Sequence, residues 1–293
     1  MSELIRAGEK TWMLKGWANV GFYLQSENDV YVIDTGNEEN SGELIDQVLM
    51  EKCWNLKGIL ITHGHEDHTA GNRYLQDKYG CQIFADAEDA VSIRFPEIAD
   101  AEYYGGKPFR ELLVPGIKMP DSSDCLDFTH EDFPKEVEII SLPGHSRGNS
   151  GFIMPDGTMF TGDTYFIPDR KGRYLAYNYD ISGVIESLKK IRGIKAERYV
   201  PGHGDIIESI EEIVDQDLES IYDLRELILS MMDEPRTYDD MLTLVSREYE
   251  LKSNFGTYYL MNFIIRAFMN WMKDDGLLSV TVEENRLLWR KTN

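Results

Sequence analysis

The stretch Thr62-His63-Gly64-His65-Glu66-Asp67-His68 places four side chains that commonly bind metal ions within six consecutive residues. It directly follows the run KGILI at residues 57–61, whose apolar character is typical of a buried strand that ends in a polar loop. A tight loop can turn alternate imidazoles to one side and the following Asp-His pair towards a neighbouring point. The spacing therefore predicts a site that can hold two adjacent cations.

Two other histidine-bearing windows place glycine beside the histidine at the end of a predicted strand. These are Pro143-Gly144-His145 and Pro201-Gly202-His203, while Gly162-Asp163-Thr164 adds a carboxylate after another strand. Glycine permits the sharp turn and the close backbone approach that such a site requires. Five of the six histidines fall in these windows, and we expect the sixth, His130, to be solvated. Unrelated loop residues do not readily explain this pattern.

The order of predicted elements up to about residue 205 favours a layered α/β fold. Residues 17–34 alternate apolar and polar side chains around a turn at 26–29, which predicts a hairpin that ends on Asp34-Thr35-Gly36. Helices are predicted from residue 41 and over 70–79 and 181–191, and further strands over 57–62, 81–84, 137–142, 151–154, 158–161 and 198–200. Residues 95–134 show no sustained period, so we expect a long surface excursion there.

The chain changes character after about residue 206, where longer helical patterns replace the strands. Helices are predicted up to Pro235, over 238–249 and over 258–273, followed by a hairpin over 277–291. This order predicts a winged-helix-like appendage. We therefore expect a catalytic domain over residues 1–208 and a helical domain over residues 209–293.

The chain is strongly acidic, which restricts its partners. Its 293 residues include 30 Lys and Arg against 52 Asp and Glu, for a net charge of −22. This charge argues against binding to DNA or to an anionic membrane, and the predicted tail is itself acidic. Charges interrupt every long apolar run, and the first ten residues lack the core of a secretory signal, so we expect a soluble cytoplasmic protein. The three cysteines form no CxxC pair and predict no thiolate metal site.

The order and intervals of the histidine and aspartate motifs resemble those of the metallo-β-lactamase superfamily. The resemblance rests on HxHxDH at residues 63–68, then on His145, Asp163 and His203, with Asp34-Thr35-Gly36 matching the strand end that precedes them. It covers the chain to about residue 205 and implies an αββα sandwich with the metal site at one edge. The tail is similar to the winged-helix appendage of the β-lactamase-like protein 2 subgroup in its helix-helix-helix-hairpin order and in Leu287-Leu288-Trp289.

The resemblance also implies a complete ligand set for two metal ions. The first ion would be held by His63, His65 and His145, the second by Asp67, His68 and His203, with Asp163 bridging both. Asp67 and Asp163 would be the catalytic carboxylates, Asp67 also orienting or deprotonating the attacking water, while Asp34 would orient a ligand imidazole. Imidazole and carboxylate ligands suit zinc, iron or manganese. We expect two divalent ions per chain, favour zinc, and leave iron and manganese open.

Two adjacent divalent cations lower the pKa of a shared water towards neutrality and polarise the electrophile that it attacks. The leading hypothesis is therefore a dinuclear hydrolase whose metal-bridging hydroxide attacks an ester, thioester or lactone of a small molecule. Two alternatives stay open at this point. One is a phosphodiesterase or ribonuclease on the same metal site, and the other is a mononuclear iron persulfide dioxygenase.

An aromatic and basic run follows Asp163 in this otherwise acidic chain. We expect substrate contacts from four of its residues and from Arg147 beside His145; the four are Tyr165, Arg170, Lys171 and Arg173. Such contacts would suit an anionic small molecule, whereas the alternative is a solvated loop whose tyrosines pack on the domain. The aromatic residues of the tail predict a core face, with a homodimer contact as the second interpretation.

Overall fold

The computed structural model of the chain describes residues 3–112, 120–166 and 173–292. Within these ranges the first sheet has six strands in the order of the sequence: β1 Leu4–Arg6, β2 Thr11–Leu14, β3 Val20–Leu24, β4 Asp29–Ile33, β5 Asn55–Leu60 and β6 Gln82–Phe84. Strands β1 to β4 pair antiparallel, whereas β4, β5 and β6 are parallel. Because parallel strands end at the same edge, the residues that follow β4 and β5 are brought together.

The second sheet has the order β10-β9-β8-β7, formed by β7 Glu138–Ser141, β8 Ser150–Ile153, β9 Thr158–Phe160 and β10 Arg198–Val200. Strands β9 and β10 are parallel, and the chain between them includes a helix over Ile181–Arg192. The residues after these two strands therefore share one edge as well. The hairpin β8–β9 and the strand at β10 are as the sequence predicts.

Helices lie between and after the strands. They are α1 Ser41–Lys52, α2 Glu66–Thr69, α3 Asn72–Tyr79, α4 Ala90–Arg94, α5 Glu97–Tyr104, α6 Ile181–Arg192, α7 Glu211–Ser230, α8 Tyr238–Glu248 and α9 Phe255–Asp274. A final hairpin consists of β11 Leu278–Glu283 and β12 Arg286–Lys291. No helix in the described ranges has both the length and the apolar character that crossing a membrane requires.

The two sheets form the middle layers of an αββα sandwich, as β4 illustrates. Its side chains alternate between the two faces of the sheet. Val32 packs in one cluster with buried residues of α1 and α3, whereas Ile33 packs in another with buried residues of β8 and β9. The predicted α/β sandwich is confirmed.

A third apolar cluster joins the second sheet to the C-terminal helices. It contains Leu142 and Met159 from the sheet side, Leu188 from α6, and Ile221 and Phe268 from α7 and α9, all nearly inaccessible to solvent. The three helices and the hairpin occur in the predicted order. They share a core with the sandwich, and the domain boundary at residues 208–209 stays a prediction.

The sequence predicts a long surface excursion over residues 95–134. The described part of this segment contains α5 and a 3₁₀ turn at Arg110–Leu112. The rings of Tyr103 and Tyr104 at the end of α5 contact the rings of Phe263 and Tyr259 in α9. These are tertiary contacts, and the local sequence period does not reveal them.

Candidate metal centre

Strand ends from both sheets place the predicted metal ligands at one edge of the sandwich. The carboxylate after β4 is Asp34, the histidine-rich loop after β5 leads into α2, and the loops after β7, β9 and β10 carry His145, Asp163 and His203. Three groups of side chains have candidate ligand atoms within 4.8 Å of one another: His63, His65 and His145; His63, Asp67 and His68; and His68, Asp163 and His203. The structure thus brings together all seven of the predicted ligands.

The first group consists of three imidazoles from two different sheets. His65 Nδ1 lies 2.8 Å from His145 Nε2, which in turn lies 3.2 Å from His63 Nε2. Burial lowers the pKa of both His65 and His145 to about 4 and the pKa of His63 well below its usual value. These imidazoles are therefore neutral at physiological pH, which is the form that binds a metal ion.

Asp163 lies between this first group and the side chains of Asp67, His68 and His203, which are called the second group below. Its Oδ2 is 3.4 Å from His145 Nε2 and 3.2 Å from His203 Nε2, and its Oδ1 is 3.4 Å from His68 Nε2. Asp67 Oδ2 lies 3.2 Å from His203 Nε2, at the outer side of the second group. One buried carboxylate therefore reaches imidazoles of both groups, which is the arrangement that a bridging ligand requires.

The two carboxylates make this edge of the sandwich strongly attractive to positive charge. Burial alone would raise the pKa of Asp67, but the charges of His68 and His203 lower it to about 2. The same two histidines hold the pKa of Asp163 well below its usual value, again against the effect of burial. Conversely, the carboxylates overcome burial and raise the pKa of His203 to about 10 and the pKa of His68 well above its usual value. A divalent cation supplies the charge that these carboxylates demand.

Two buried polar atoms in the site lack a hydrogen-bond partner, which tests whether a cation fits. They are His68 Nε2 and Asp163 Oδ1, which face each other at 3.4 Å as an ion pair but do not have the geometry of a hydrogen bond. Unpaired buried polar atoms are costly and therefore rare in proteins. Here both atoms belong to the group of His68, Asp163 and His203, whose candidate ligand atoms lie within 4.8 Å of one another. The unpaired atoms and the donor set of imidazole and carboxylate fit a divalent transition metal ion.

Asp34 contacts the imidazole of His68 on the side of the ring that faces away from Asp163, where it can orient the ring as the sequence predicts. Its Oδ2 accepts hydrogen bonds from His68 Nδ1 at 2.9 Å and from Thr62 Oγ1 at 2.7 Å, and its Oδ1 accepts one from Thr62 N at 2.7 Å. The backbone of Asp34 is left-handed, with φ 56°, a conformation that hydrogen bonding from several sides can maintain. With Nδ1 held by Asp34, the Nε2 atom of His68 faces Asp163.

Two other candidate ligand imidazoles, those of His145 and His203, are also held through their second nitrogen. His145 Nδ1 lies 2.7 Å from the carbonyl oxygen of Tyr177, and His203 Nδ1 lies 2.6 Å from that of Trp17. Such bonds fix the ring orientation and the tautomer that presents Nε2 to a metal. Since Trp17 lies between β2 and β3 of the first sheet, the bond to His203 also joins the two sheets at this edge.

Sequence analysis missed Asp89, a buried carboxylate at the start of α4. Its Oδ2 accepts hydrogen bonds from Gly64 N at 2.9 Å and from Ser146 Oγ at 2.6 Å, and its Oδ1 accepts one from Gly148 N at 2.9 Å. Asp89 therefore ties the loop of His63 and His65 to the loop of His145. In the sequence it stands in the acidic segment ADAED, which looks like a solvated turn.

Gly202 shows why a glycine precedes a ligand histidine. A Cβ atom at this position would lie 2.0 Å from Asp163 Oδ1 and 2.7 Å from the Cε1 atom of His68. No other residue fits this approach of backbone to ligand. The Pro-Gly-His pattern of the sequence is thereby explained at this loop.

Comparison with known proteins agrees with this geometry. Residues 16–203 match the description "Metallo-beta-lactamase superfamily", and this range includes every predicted ligand. The chain belongs to the metallo-beta-lactamase superfamily. The match covers well over half of the sequence and ends before the C-terminal helices.

Among curated proteins, the chain is 28% identical to "Beta-lactamase-like protein 2 homolog" of Drosophila melanogaster over 197 residues, which are 64% of this chain and 59% of that protein. It is 30% identical over 149 residues to "Hydroxyacylglutathione hydrolase GloC" of Haemophilus influenzae, covering 50% of this chain and 66% of that one. A "Hydroxyacylglutathione hydrolase" of Shewanella pealeana is 27% identical over 158 residues, covering 53% of this chain and 48% of that one. The chain thus spans less than two thirds of the length of these relatives.

Solved structures of superfamily members share the fold over nearly the whole chain. The "metallo-beta-lactamase family protein TTHA1429" of Thermus thermophilus superimposes with a TM-score of 0.74 at 18% identity, over 97% of this chain and 99% of that one. A "Beta-lactamase domain protein" of Burkholderia ambifaria gives a TM-score of 0.74 at 13% identity, over 99% and 94%. Because these matches extend beyond residue 203, they include the C-terminal helices.

The residues predicted to contact substrate are dispersed. Arg147 is exposed and forms an ion pair with Glu88 at 3.0 Å. Arg173 donates instead to the backbone oxygen of Tyr249, at the end of α8. Tyr165 differs from the expectation, because its side chain is only 4% exposed and packs in the core shared with the C-terminal helices. The predicted contacts of Arg170 and Lys171 lie outside the described residues.

Aromatic rings surround the metal centre of this superfamily member on its open side. The ring of Tyr177 lies 5.3 Å from that of His65, and Phe166 lies 5.4 Å from His145. Trp17, which is 72% exposed, lies 5.8 Å from His203. His130 is not part of this group; its nearest charged partner among the described residues is Asp132, at 3.6 Å. These three rings therefore give the candidate ligands an apolar border in the described part of the chain.

Proposed function

We propose that this protein is a metal-dependent hydrolase with two divalent cations, zinc in the first instance, that cleaves a small-molecule thioester. When bound, the two cations lower the pKa of a shared water so that hydroxide is available at neutral pH, and they polarise the carbonyl group. Esters and lactones present the same electrophilic carbonyl and belong to the same proposal. Everything else in the reaction falls to the side chains of the chain itself.

The position of Asp163 carries this proposal. Its two oxygens lie within 3.4 Å of imidazole nitrogens from both ligand groups, so that this one carboxylate would reach two adjacent ions. We assign the first ion to His63, His65 and His145, the second to Asp67, His68 and His203, and the bridge to Asp163. The presence of ligand atoms for both groups supports two ions rather than one.

Asp67 is suited to handle the proton of the attacking water. Its side chain is 28% exposed, against 3% for Asp163, so it faces the side from which water and substrate arrive. Its lowered pKa, about 2, keeps it ionised at every physiological pH. An ionised carboxylate at this position accepts a hydrogen bond from water and orients it towards the carbonyl carbon.

Two observations support a thioester as the electrophile. Two of the relatives described above carry the name hydroxyacylglutathione hydrolase, which denotes a thioester substrate. The net charge of −22 disfavours a long polyanion such as RNA. A cytoplasmic location, a homodimer and the absence of a DNA partner stay predictions.

Metal analysis combined with a substrate panel tests the proposal. We expect two metal ions per chain by inductively coupled plasma mass spectrometry, and thiol release from S-lactoylglutathione or acyl N-acetylcysteamine that increases on reconstitution with zinc. A phosphodiester, a lactone and glutathione persulfide complete the panel. One iron ion per chain, together with oxygen uptake on the persulfide, would contradict the hydrolase.

Asp163→Asn tests the bridging role within the same assay. The substitution keeps the size of the side chain but removes its charge, so we expect loss of metal and a fall in kcat/KM beyond the roughly 10–100-fold cost of removing an outer partner of a ligand. Asp77→Asn is the matched control, because Asp77 is an exposed carboxylate that pairs only with Arg73 among its described contacts. Full metal content and turnover in Asp163→Asn would remove the bridging assignment.

A further inference from the structure

A line of aromatic side chains runs along one face of α9. Phe255, Tyr259 and Phe263 are spaced at i, i+4 and i+8, which places them above one another on a helix. Each contacts a ring of the sandwich region: Phe255 with Phe109 at 5.4 Å, Tyr259 with Tyr104 at 4.8 Å, and Phe263 with Tyr103 at 6.3 Å and Tyr177 at 3.7 Å. We call these seven residues the aromatic seam.

The inner end of the seam is part of the metal centre. Phe263 stacks on Tyr177 at an interplanar angle of 22°, and the ring of Tyr177 lies 5.3 Å from that of His65 and 6.2 Å from that of His145. The backbone oxygen of Tyr177 also lies 2.7 Å from His145 Nδ1. A residue of the C-terminal region is thereby one ring away from the proposed metal ligands.

The outer end of the seam is open to solvent. Phe255 and Phe109 are 55% and 47% exposed, and Leu260 and Tyr258 beside them on α9 are exposed as well. The nine residues from Phe255 to Phe263 correspond to a rise of about 12 Å along the helix. Exposed apolar side chains that adjoin one another are a feature of ligand-binding surfaces. The seam thus forms an apolar track of ring contacts from exposed Phe255 and Phe109 to Tyr177 beside the candidate ligands.

The charges near the seam indicate what this track binds. Arg147 is paired with Glu88, and Arg173 with the backbone of Tyr249. Arg266 of α9 lies over the ring of Tyr238, 4.4 Å from its centre. Aromatic platforms for single-stranded nucleic acid combine their rings with a basic groove that follows the phosphates. These arginines are engaged elsewhere in the described part of the chain, and Lys107 and Lys252 stand in sequence beside the exposed outer end of the seam, which favours an uncharged, apolar ligand at its inner end.

We propose that the aromatic seam binds the acyl chain of the thioester and makes this enzyme selective for apolar acyl groups. This inference rests on the proposed function, because the carbonyl is placed at the metal centre and the acyl chain extends from it past Tyr177 and Phe263. The thiol half of a biological thioester is usually polar, so the acyl half suits the seam. Selectivity follows because each methylene withdrawn from water against the rings lowers the free energy of binding.

A series of N-acetylcysteamine thioesters with acetyl, butanoyl, octanoyl and dodecanoyl groups tests this selectivity on the full chain reconstituted with zinc. We expect kcat/KM to rise with chain length in the wild type. Phe263→Ala should lower kcat/KM about tenfold for the octanoyl thioester and less than about twofold for the acetyl thioester. Phe263→Leu, which stays apolar, should recover most of the loss. Equal effects on acetyl and octanoyl esters would overturn the inference while leaving thioester hydrolysis intact.

Tyr222→Ala is the matched control for the loss of a ring. Tyr222 is a half-buried residue of α7 that contacts Trp271 and has no described ring contact with the seam. The control variant should keep the dependence on acyl length, even where its stability decreases. A loss of that dependence in Tyr222→Ala equal to the loss in Phe263→Ala would assign the effect to general loosening and would overturn the role of the seam.

A binding measurement separates the inference from the proposed function. S-octyl-N-acetylcysteamine, a thioether in which a methylene group replaces the carbonyl of the octanoyl thioester, cannot be hydrolysed, and we expect isothermal titration calorimetry to show about tenfold weaker binding to Phe263→Ala than to wild type. If no thioester is cleaved but this difference is found, the proposed function fails and the seam stands as an apolar binding site. Equal binding to both proteins would overturn the seam. Cleavage of single-stranded RNA that depends on Phe263 would replace it with a base-stacking platform.

Discussion

The metal centre and the aromatic seam meet at Tyr177, yet they are built in opposite ways. In the candidate metal centre, hydrogen bonds that the carboxylates of Asp34 and Asp89 accept from His68 and Gly64 position the loop that follows β5. In the seam, rings from α9 pack against rings of the sandwich region. All the candidate metal ligands lie on loops of the sandwich, whereas the rings beside them are shared between the sandwich and the C-terminal helices. A substitution in the seam should therefore leave metal binding intact, and a substitution in the metal centre should leave the preference for acyl length measurable.

Removing the C-terminal region is the most severe way to test this separation. A variant that ends at residue 208 would expose Leu188 and Ile191 of α6, both of which are inaccessible to solvent in the full chain. We expect loss of the cooperative fold, because the apolar core of the second sheet is then covered on one side only. Near-ultraviolet circular dichroism and binding of 8-anilinonaphthalene-1-sulfonate measure this outcome.

A milder truncation controls for chain length. Ending the chain at residue 276 removes only the hairpin of β11 and β12, and with it Trp289, so we expect a lower melting temperature but a cooperative transition. If the variant that ends at residue 208 retained native circular dichroism and bound two metal ions, residues 1–208 would be an independent domain. The shared core would then be a contact between domains.

Asp217 is the point where the C-terminal region contributes a polar contact to the metal loops. This carboxylate of α7 is fully buried, and its Oδ2 accepts a hydrogen bond from Phe166 N at 2.9 Å, while its Oδ1 has no partner. Burial raises its pKa from 3.8 to about 7. Between these pH values the folded state binds more protons than the unfolded state, so the contribution to stability falls as the pH rises through this window.

Asp217→Asn should remove this pH dependence. The amide retains an acceptor for Phe166 N but carries no charge, so the variant should gain stability relative to wild type as the pH rises from 4 to 8. The full gain is on the order of 2–4 kcal/mol, and urea unfolding at several pH values measures it. Asp223→Asn, an exposed carboxylate on the same helix, is the control. A constant difference between Asp217→Asn and wild type at all pH values would show that Asp217 is ionised throughout.

The same contrast explains which parts of the site can be predicted from the sequence. The ligand loops can be predicted because histidine, aspartate and glycine stand together at strand ends. The close approach of the backbone at Gly202 shows why a glycine is required there. Asp34 is readable for the same reason. The seam cannot be predicted from the sequence, because Tyr177 and Phe263 are 86 positions apart and each alone looks like a core residue. Short segments such as β1 and α5 depend on tertiary contacts and leave no period in the sequence.

Asp89 gives the finest test of the separation, because it supports the ligands without contacting the seam. Asp89→Asn replaces one acceptor oxygen by an amide donor, which then faces Gly148 N or the pair Gly64 N and Ser146 Oγ. The loop of His65 and the loop of His145 should move apart, and we expect metal affinity at the first site to fall about 10–100-fold.

Competition with a chromophoric chelator measures the affinity of each site in Asp89→Asn. Asp127→Asn is the control, since Oδ1 of Asp127 accepts a hydrogen bond from the backbone of Thr129 and none from the ligand loops among the described contacts. The preference for long acyl chains should persist in Asp89→Asn, because Phe263 and Tyr177 are untouched. A variant with unchanged metal affinity would mean that the bonds from Ser146 and Gly148 stabilise the fold alone. A variant that loses acyl selectivity together with metal would mean that the two regions act as one.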